Sequence, residues 1–199
     1  WGSEFISGAA GKTPGRGVNG LTCNMIDPIS GQPELKHSAV KILPANLPWQ
    51  LVAFGLFPKE EVFSVQNSLR RILPHFDSAQ CVLFGREQDG DLIGVSFKAA
   101  HHEDPLEESE SLAAKALKQV MVKFKLDEIS GEPVMRYSDK RRGVVRLIRT
   151  HEKVLSAMLT GPIDSLASTA WLREYLENGL DAKTLGRSLL MPVSKPPVE

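Results

Sequence analysis

The chain has 199 residues, 42% of them hydrophobic and 24% charged, proportions that suit a packed globular chain and exclude a disordered, fibrous or collagen-like one. Lysine plus arginine and aspartate plus glutamate both total 24, so no global field draws a polyanion or an anionic membrane, and nucleic-acid binding would need a local patch. Cys23 and Cys81 are the only cysteines, which gives neither a disulfide framework nor the four thiolates of a typical iron–sulfur or structural zinc site.

A reducing cytoplasm is the setting expected for such a chain. Its longest apolar runs, such as Leu51 to Leu56, fall well short of the ~20 residues a membrane helix needs. The opening has no basic region followed by an apolar stretch, so no secretory address is read. The sequence starts at Trp1, without an initiating Met, in a segment that reads as the interior of a longer protein. Further protein upstream is therefore expected.

Residues 1–20 are rich in glycine, and Gly15-Arg16-Gly17 cannot hold a regular element at useful stability. A wrapping loop is expected there. Val18 to Thr22 reads as a short strand, Asp27-Pro28-Ile29-Ser30-Gly31 as a turn, and Ser38 to Leu43 alternates like a second strand. These elements are too few to make a core alone and look like the closing strands of a barrel. Pro44 and Pro48 bracket a linker, which places a domain boundary near Leu43.

Beyond the boundary the pattern is richer. Gln50 to Gly55 reads as a buried strand, and a helix opens after Pro58 with Glu60 and Glu61, carries Val62, Val65, Leu69 and Ile72 on one face, and stops at Pro74. Gln80 to Arg86 and Leu92 to Ala99 form a hairpin around Gln88-Asp89-Gly90-Asp91. Glu107 to Phe124 predicts an amphipathic helix, with Leu112, Ala116, Val120 and Phe124 at four-residue steps. Val134 to Tyr137, Val144 to Arg149 and Val154 to Thr160 read as strands, and Ser165 to Glu177 and Ala182 to Leu190 as helices. The segment from 191 to 199 reads as a flexible, proline-rich tail that does not pack.

One ordered run is denser than chance spacing gives: Val18-Asn19-Gly20-Leu21-Thr22, then Asp27-Pro28-Ile29-Ser30-Gly31-Gln32-Pro33-Glu34-Leu35-Lys36, then Ala39-Val40-Lys41-Ile42. It resembles the end of the molybdopterin-dinucleotide-binding domain of nitrate reductases and formate dehydrogenases, where the pattern is roughly V-N-x-L-T, D-P-x-S-x-x-P-E-x-K and A-V-x-I. Cys81-Val82-Leu83-Phe84-Gly85-Arg86-Glu87, Tyr137-Ser138-Asp139-Lys140-Arg141-Arg142-Gly143 and Ala170-Trp171-Leu172-Arg173 resemble the extra domain that bacterial assimilatory nitrate reductases append.

The resemblance implies an α+β chain in two parts. Residues 1–43 would close an incomplete molybdopterin-dinucleotide-binding β-barrel, and 45–190 would form the appended α+β domain. It assigns cofactor contact to Asn19 and Lys36, with Thr22 and Asp27 close by, and makes Trp1 a weak liner of the substrate funnel. The chemistry of the residues agrees, since an amide side chain both donates and accepts while a cation suits pyrophosphate. No catalytic residue is expected in this piece, which would be inactive alone. The implied cofactor of the whole enzyme is molybdenum held by two molybdopterin guanine dinucleotides, with an iron–sulfur cluster bound upstream. The implied partners are the remainder of the catalytic subunit and a flavoprotein or ferredoxin electron donor, with neither nucleic acid nor membrane. The other reading is a non-catalytic module that docks a redox partner.

Three sharper motifs read blandly. Lys140-Arg141-Arg142 with Arg136, Arg146 and Arg149 suits a strand pair with outward arginines better than a phosphate patch. His101-His102-Glu103-Asp104 has metal-ligand residue types, but adjacent loop residues seldom converge on one ion, and an exposed loop is expected. Cys81 sits in an apolar strand and reads as a small buried hydrophobe.

Overall fold

The computed structural model describes residues 21–26, 33–38, 47–84, 92–107, 109–127 and 133–197. The chain divides into two compact units, Trp1–Leu43 and Pro44–Glu199. In the first unit, strands β1 (Leu21–Ile26) and β2 (Pro33–Ser38) pair antiparallel, with Leu21 opposite Ser38 and Ile26 opposite Pro33. Both are displaced from the sequence expectation. β1 continues past Thr22, and β2 occupies a stretch in which no strand was expected. Pro33 is tolerated because it stands first in its strand, where a missing N–H costs the ladder least. The expected turn at Asp27–Gly31 and most of the expected strand Ser38–Leu43 lie outside the described residues.

The second unit is α+β. Strands β3 (Trp49–Pro58), β4 (Ser78–Phe84), β5 (Leu92–His101), β6 (Val134–Asp139), β7 (Val144–His151) and β8 (Lys153–Gly161) make one six-stranded sheet in the order β4-β5-β3-β8-β7-β6. Every neighbouring pair is antiparallel. Helices α1 (Lys59–Ile72) and α2 (Leu112–Lys123) cover one face, and α3 (Thr169–Glu177) covers part of the other. Period-two alternation sends Leu51, Ala53 and Phe57 of β3 into the core under α1 and α2, and Val52 and Phe54 into the core under α3. A central strand buried on both faces reads as a continuous apolar run, which is why β3 was legible without alternation.

α1 follows its sequence signals closely. Glu60 and Glu61 lie in the first turn and Arg70 and Arg71 in the last, matching the helix dipole, and Val62, Val65, Leu69 and Ile72 are buried. The helix stops before Pro74, which sits in a short 3-10 turn at Leu73–His75. α2 starts later than the expected Glu107. The Ser111 hydroxyl accepts the Ala114 N–H at 3.1 Å and so caps the helix. Upstream, Asp104 accepts the Leu106 N–H at 2.9 Å, an Asx-type turn that competes with helix over 104–107.

The C-terminal end corrects three expectations. The helix expected from Ser165 is split into a 3-10 turn at Ile163–Leu166 and α3, because Ser165 Oγ donates back to the Thr160 and Pro162 carbonyls and tightens the chain there. The helix expected over Ala182–Leu190 is only a 3-10 turn at Gly186–Leu190. Ahead of it Asp181 bridges Lys153 at the sheet, and its carboxylate accepts the Lys183 N–H at 2.8 Å. The expected flexible tail 191–199 is tied down at its start. Trp171 Nε1 donates to the Val193 carbonyl at 2.8 Å, Arg146 donates to the Met191 carbonyl at 3.2 Å, and Val193 packs on the α3-side core. No described helix is long and apolar enough to cross a membrane.

The aromatic centre of the α1–α2 core offers a direct check. Phe97 is fully buried and meets Phe76 edge-on at 5.9 Å between centroids, so Phe97→Ala is expected to destabilise the protein by about 3–5 kcal/mol in chemical denaturation. Ser111→Ala, which removes only the α2 cap, is expected to cost about 1 kcal/mol in the same measurement.

Candidate functional site

Of the residues singled out for cofactor contact, Thr22 and Lys36 lie in the described hairpin. The register pairs Thr22 with His37 and Cys23 with Lys36, which brings backbone positions 22 and 36 within one step of each other across the ladder. Asn19, Asp27 and Trp1 lie outside the described residues.

The second unit holds a cavity of about 530 Å3 beside the β6–β7 edge of the sheet. Its lining comes from Tyr137 and Asp139 of β6, Val144 and Arg146 of β7, the 3-10 turns at 140–142 and 163–166, and the segment Arg187 to Pro192. α3 is only nine residues long and packs on β8 and β3. On the β7–β6 side that sheet face is covered by the short turn at Gly186–Leu190. A thin cover beside a short helix leaves the hollow.

Arg146 dominates the electrostatics of this cavity. The outward direction expected for it is overturned: its exposure is 0%. Alternation along β7 puts Arg146 on the same side as Ile148, which belongs to the α3-side core. Its guanidinium donates to the Ser165 carbonyl at 2.6 Å, to the Ser168 hydroxyl and to the Met191 carbonyl. Nε is buried without an acceptor among the described residues. No carboxylate pairs with it there either, and burial pushes it down to about 10, with Tyr137 opposing the shift. The sequence carried the signal, since Arg146 shares the parity of Val144 and Ile148 in a strand that otherwise sends apolar residues inward.

The rim of the cavity is built differently. Arg142 and Asp164 form an exposed ion pair at 2.7 Å. Asp139 Oδ1 accepts the Arg141 N–H at 3.0 Å and starts the turn that Gly143 ends at φ +62°, a left-handed conformation that favours glycine. Arg187 is exposed and makes no ion pair among the described residues.

A second cluster joins Asp77, just before β4, to His101 and His102 at the end of β5. The two histidines have no other His or Cys at a ligand spacing nearby in sequence, and the fold supplies a partner from more than twenty residues upstream. Asp77 Oδ2 lies 2.5 Å from His102 Nδ1 and accepts the His102 backbone N–H at 2.7 Å, while His101 Nδ1 accepts the Asp77 N–H at 3.3 Å. A contact of 2.5 Å is a charge-assisted hydrogen bond. It is closer than the roughly 3.3 Å that separates two ligands bound at about 2.0 Å to a tetrahedral ion. The cluster is therefore a latch between strand ends. Cys81, expected buried, is half-buried; burial pushes its thiol up to about 11 against the opposing charge of Arg70, so it packs and does not attack.

No protein-family model, curated protein or solved structure matches the chain.

The latch has a defined pH signature. The hydrogen bond to Asp77 raises His102 above its ordinary 6.5. Burial would raise Asp77 above its ordinary 3.8, but hydrogen bonds from the His102 ring and backbone outweigh that and lower it. The stabilisation is therefore fully present above pH 3.8 and below pH 6.5. It is lost as pH rises through the folded His102 value or falls through the folded Asp77 value. In an NMR titration His102 is expected to hold its proton above pH 6.5, and Asp77→Asn to return its midpoint toward that value.

Proposed function

We propose that the chain is the C-terminal part of a molybdenum oxidoreductase of the assimilatory nitrate reductase type, working in the cytoplasm on the two-electron reduction of nitrate to nitrite. The observation that carries this reading is the ordered run from Val18 to Ile42, whose pattern is that of the closing segment of a molybdopterin-dinucleotide-binding domain. Residues 1–43 would complete that domain, and 45–190 would be the appended α+β domain. The pairing of the strand that carries Thr22 with the strand that carries Lys36 supports the reading, because it sets Leu21-Thr22 and Pro33–Lys36 of the motif on neighbouring strands.

The donor set fits the implied group. Asn19 offers an amide and Lys36 an ammonium, the chemistry that a pterin dinucleotide with its pyrophosphate requires. Bound, the molybdenum cofactor supplies the oxygen and electron transfer; the residues of this chain hold its nucleotide part. Cys23 and Cys81 are too few for an iron–sulfur cluster, so electrons would reach the molybdenum through a cluster bound by the upstream part of the subunit.

A second reading, a non-catalytic module that docks a flavoprotein or ferredoxin, draws on the exposed apolar residues of the second unit, among them Phe63 at 72% and Leu112 at 63%. The two readings separate in one experiment on the protein expressed from its complete reading frame in molybdenum-replete cells. The enzyme reading expects bound molybdenum, two guanine dinucleotides per chain and nitrite formation from nitrate with a reduced viologen dye. Lys36→Ala is expected to lower the dinucleotide content. Purified protein that binds a flavoprotein or ferredoxin but contains no molybdenum would replace it with the docking module. Formate oxidation without nitrate reduction would keep the cofactor and change the substrate.

A further inference from the structure

The cavity beside Arg146 has a composition that packing alone does not call for. Three arginines, Arg142, Arg146 and Arg187, face it with two aspartates, Asp139 and Asp164, leaving one positive charge in excess. The Arg142–Asp164 pair at 2.7 Å neutralises itself at the rim, and Asp139 is engaged by the Arg141 N–H. Among the described residues Arg146 lies fully buried in the wall with its Nε lacking an acceptor, and Arg187, also in the lining, is exposed and makes no ion pair. A buried guanidinium without a counter-ion is costly, because its charge is removed from water and not repaid by a carboxylate. An anion in the cavity would repay it.

The rest of the lining sets the shape of that anion. Val144, Leu190, Met191 and Pro192 make most of the remaining wall apolar, with the Tyr137 ring at one side. At about 530 Å3 the cavity is in the size range of sites for small organic molecules and far too large to be filled by an inorganic oxyanion. An apolar body would displace water from the wall, while one acidic group would accept directly from Arg187. Arg146, screened from water, would act on the same group across a low-dielectric layer, where charge interactions are strongest.

We propose that this cavity binds an organic monoanion, a carboxylate on a compact apolar body, between Arg187 and the buried Arg146. The site belongs to the second unit and does not depend on the pterin reading of the first.

The test uses the whole chain in solution, followed by two-dimensional NMR during titration with cyclohexanecarboxylate, with its neutral amide and with inorganic phosphate. The carboxylate is expected to bind with shifts confined to Val144, Arg187, Leu190 and their neighbours, and the amide about tenfold more weakly or worse, the scale of a charge-assisted hydrogen bond. Arg187→Gln, an exposed position, is expected to bring the carboxylate down to the affinity of the amide while leaving the spectrum folded. Arg146→Gln is expected to do the same where it folds, and Arg187→Gln decides the matter where it does not. Equal binding of carboxylate and amide would reduce the site to an apolar hollow. Equal binding of phosphate would reduce it to surface charge, and an absence of shifts at the cavity would remove it; each of these outcomes overturns the proposal.

Discussion

Strand β3 is buried on both faces, and the architecture of the second unit follows from that constraint. A strand with Leu51, Ala53 and Phe57 on one side and Val52 and Phe54 on the other needs apolar cover above and below, because a bare face would leave several large side chains in water at about 25 cal/mol per Å2. α1 and α2 supply one cover in full, with Val65, Leu69, Leu117 and Val120 seated in the core. α3 supplies only part of the other, through Trp171, Leu172 and Leu176. The sheet is six strands wide, and one short helix cannot span it. The chain therefore returns through the turn at Gly186–Leu190 and the segment after it to close the gap.

Arg146 is where this arrangement turns polar. The returning segment packs against β6 and β7 as irregular backbone, whose carbonyls have no helical or ladder partners of their own. A buried arginine offers five donors in a fixed fork, and the terminal nitrogens of Arg146 reach the Ser165 and Met191 carbonyls and the Ser168 hydroxyl. One side chain thus fastens the 163–166 turn, the start of α3 and the C-terminal segment to β7. Trp171 adds a second tie from α3 to Val193. The fastening explains why Met191 and Val193 are held against the sheet despite the proline-rich sequence around them. It also explains why that corner is hollow, since carbonyls that must reach a guanidinium cannot also close-pack as side chains do.

Legibility in the sequence follows the range of the forces involved. α1 was readable to within a residue or two because its signals are local: charges matched to the dipole, four apolar residues on one face and a proline at the stop. β4, β5, β7 and β8 were readable from alternation and from the hairpin composition. What was misread depended on partners distant in sequence. The start of α2 was misplaced because the Asp104 turn and the Ser111 cap outweigh the acidic run that precedes the helix. The expected last helix is shortened to a turn where Asp181 bridges the Lys153 backbone at the sheet and its carboxylate accepts the Lys183 N–H. An outward Arg146 is the default expectation for an arginine, and the facing carbonyls and the Ser168 hydroxyl, nineteen to forty-five positions away, make its burial tolerable. The Asp77 latch was invisible for the same reason, its carboxylate lying twenty-five positions from His102.

The two units carry information of different kinds, and this bears on how function is read from each. In the first, the meaning lies in sequence order: a run of residues whose spacing resembles a cofactor-binding segment, of which the described part is a two-stranded hairpin. Such a two-stranded hairpin is marginal in isolation, so any chemistry of Lys36 would depend on what packs against it. In the second, the meaning lies in three-dimensional placement. Its core is complete in itself, and among the described residues Arg146 is a buried charge that no carboxylate pairs, at a position where a surface arginine is the ordinary expectation. A charge kept in an apolar corner at the cost of desolvation is retained for structure, for a ligand, or for both. The carbonyl ties of Arg146 account for the first, and the free Nε together with the solvent-facing Arg187 leaves room for the second.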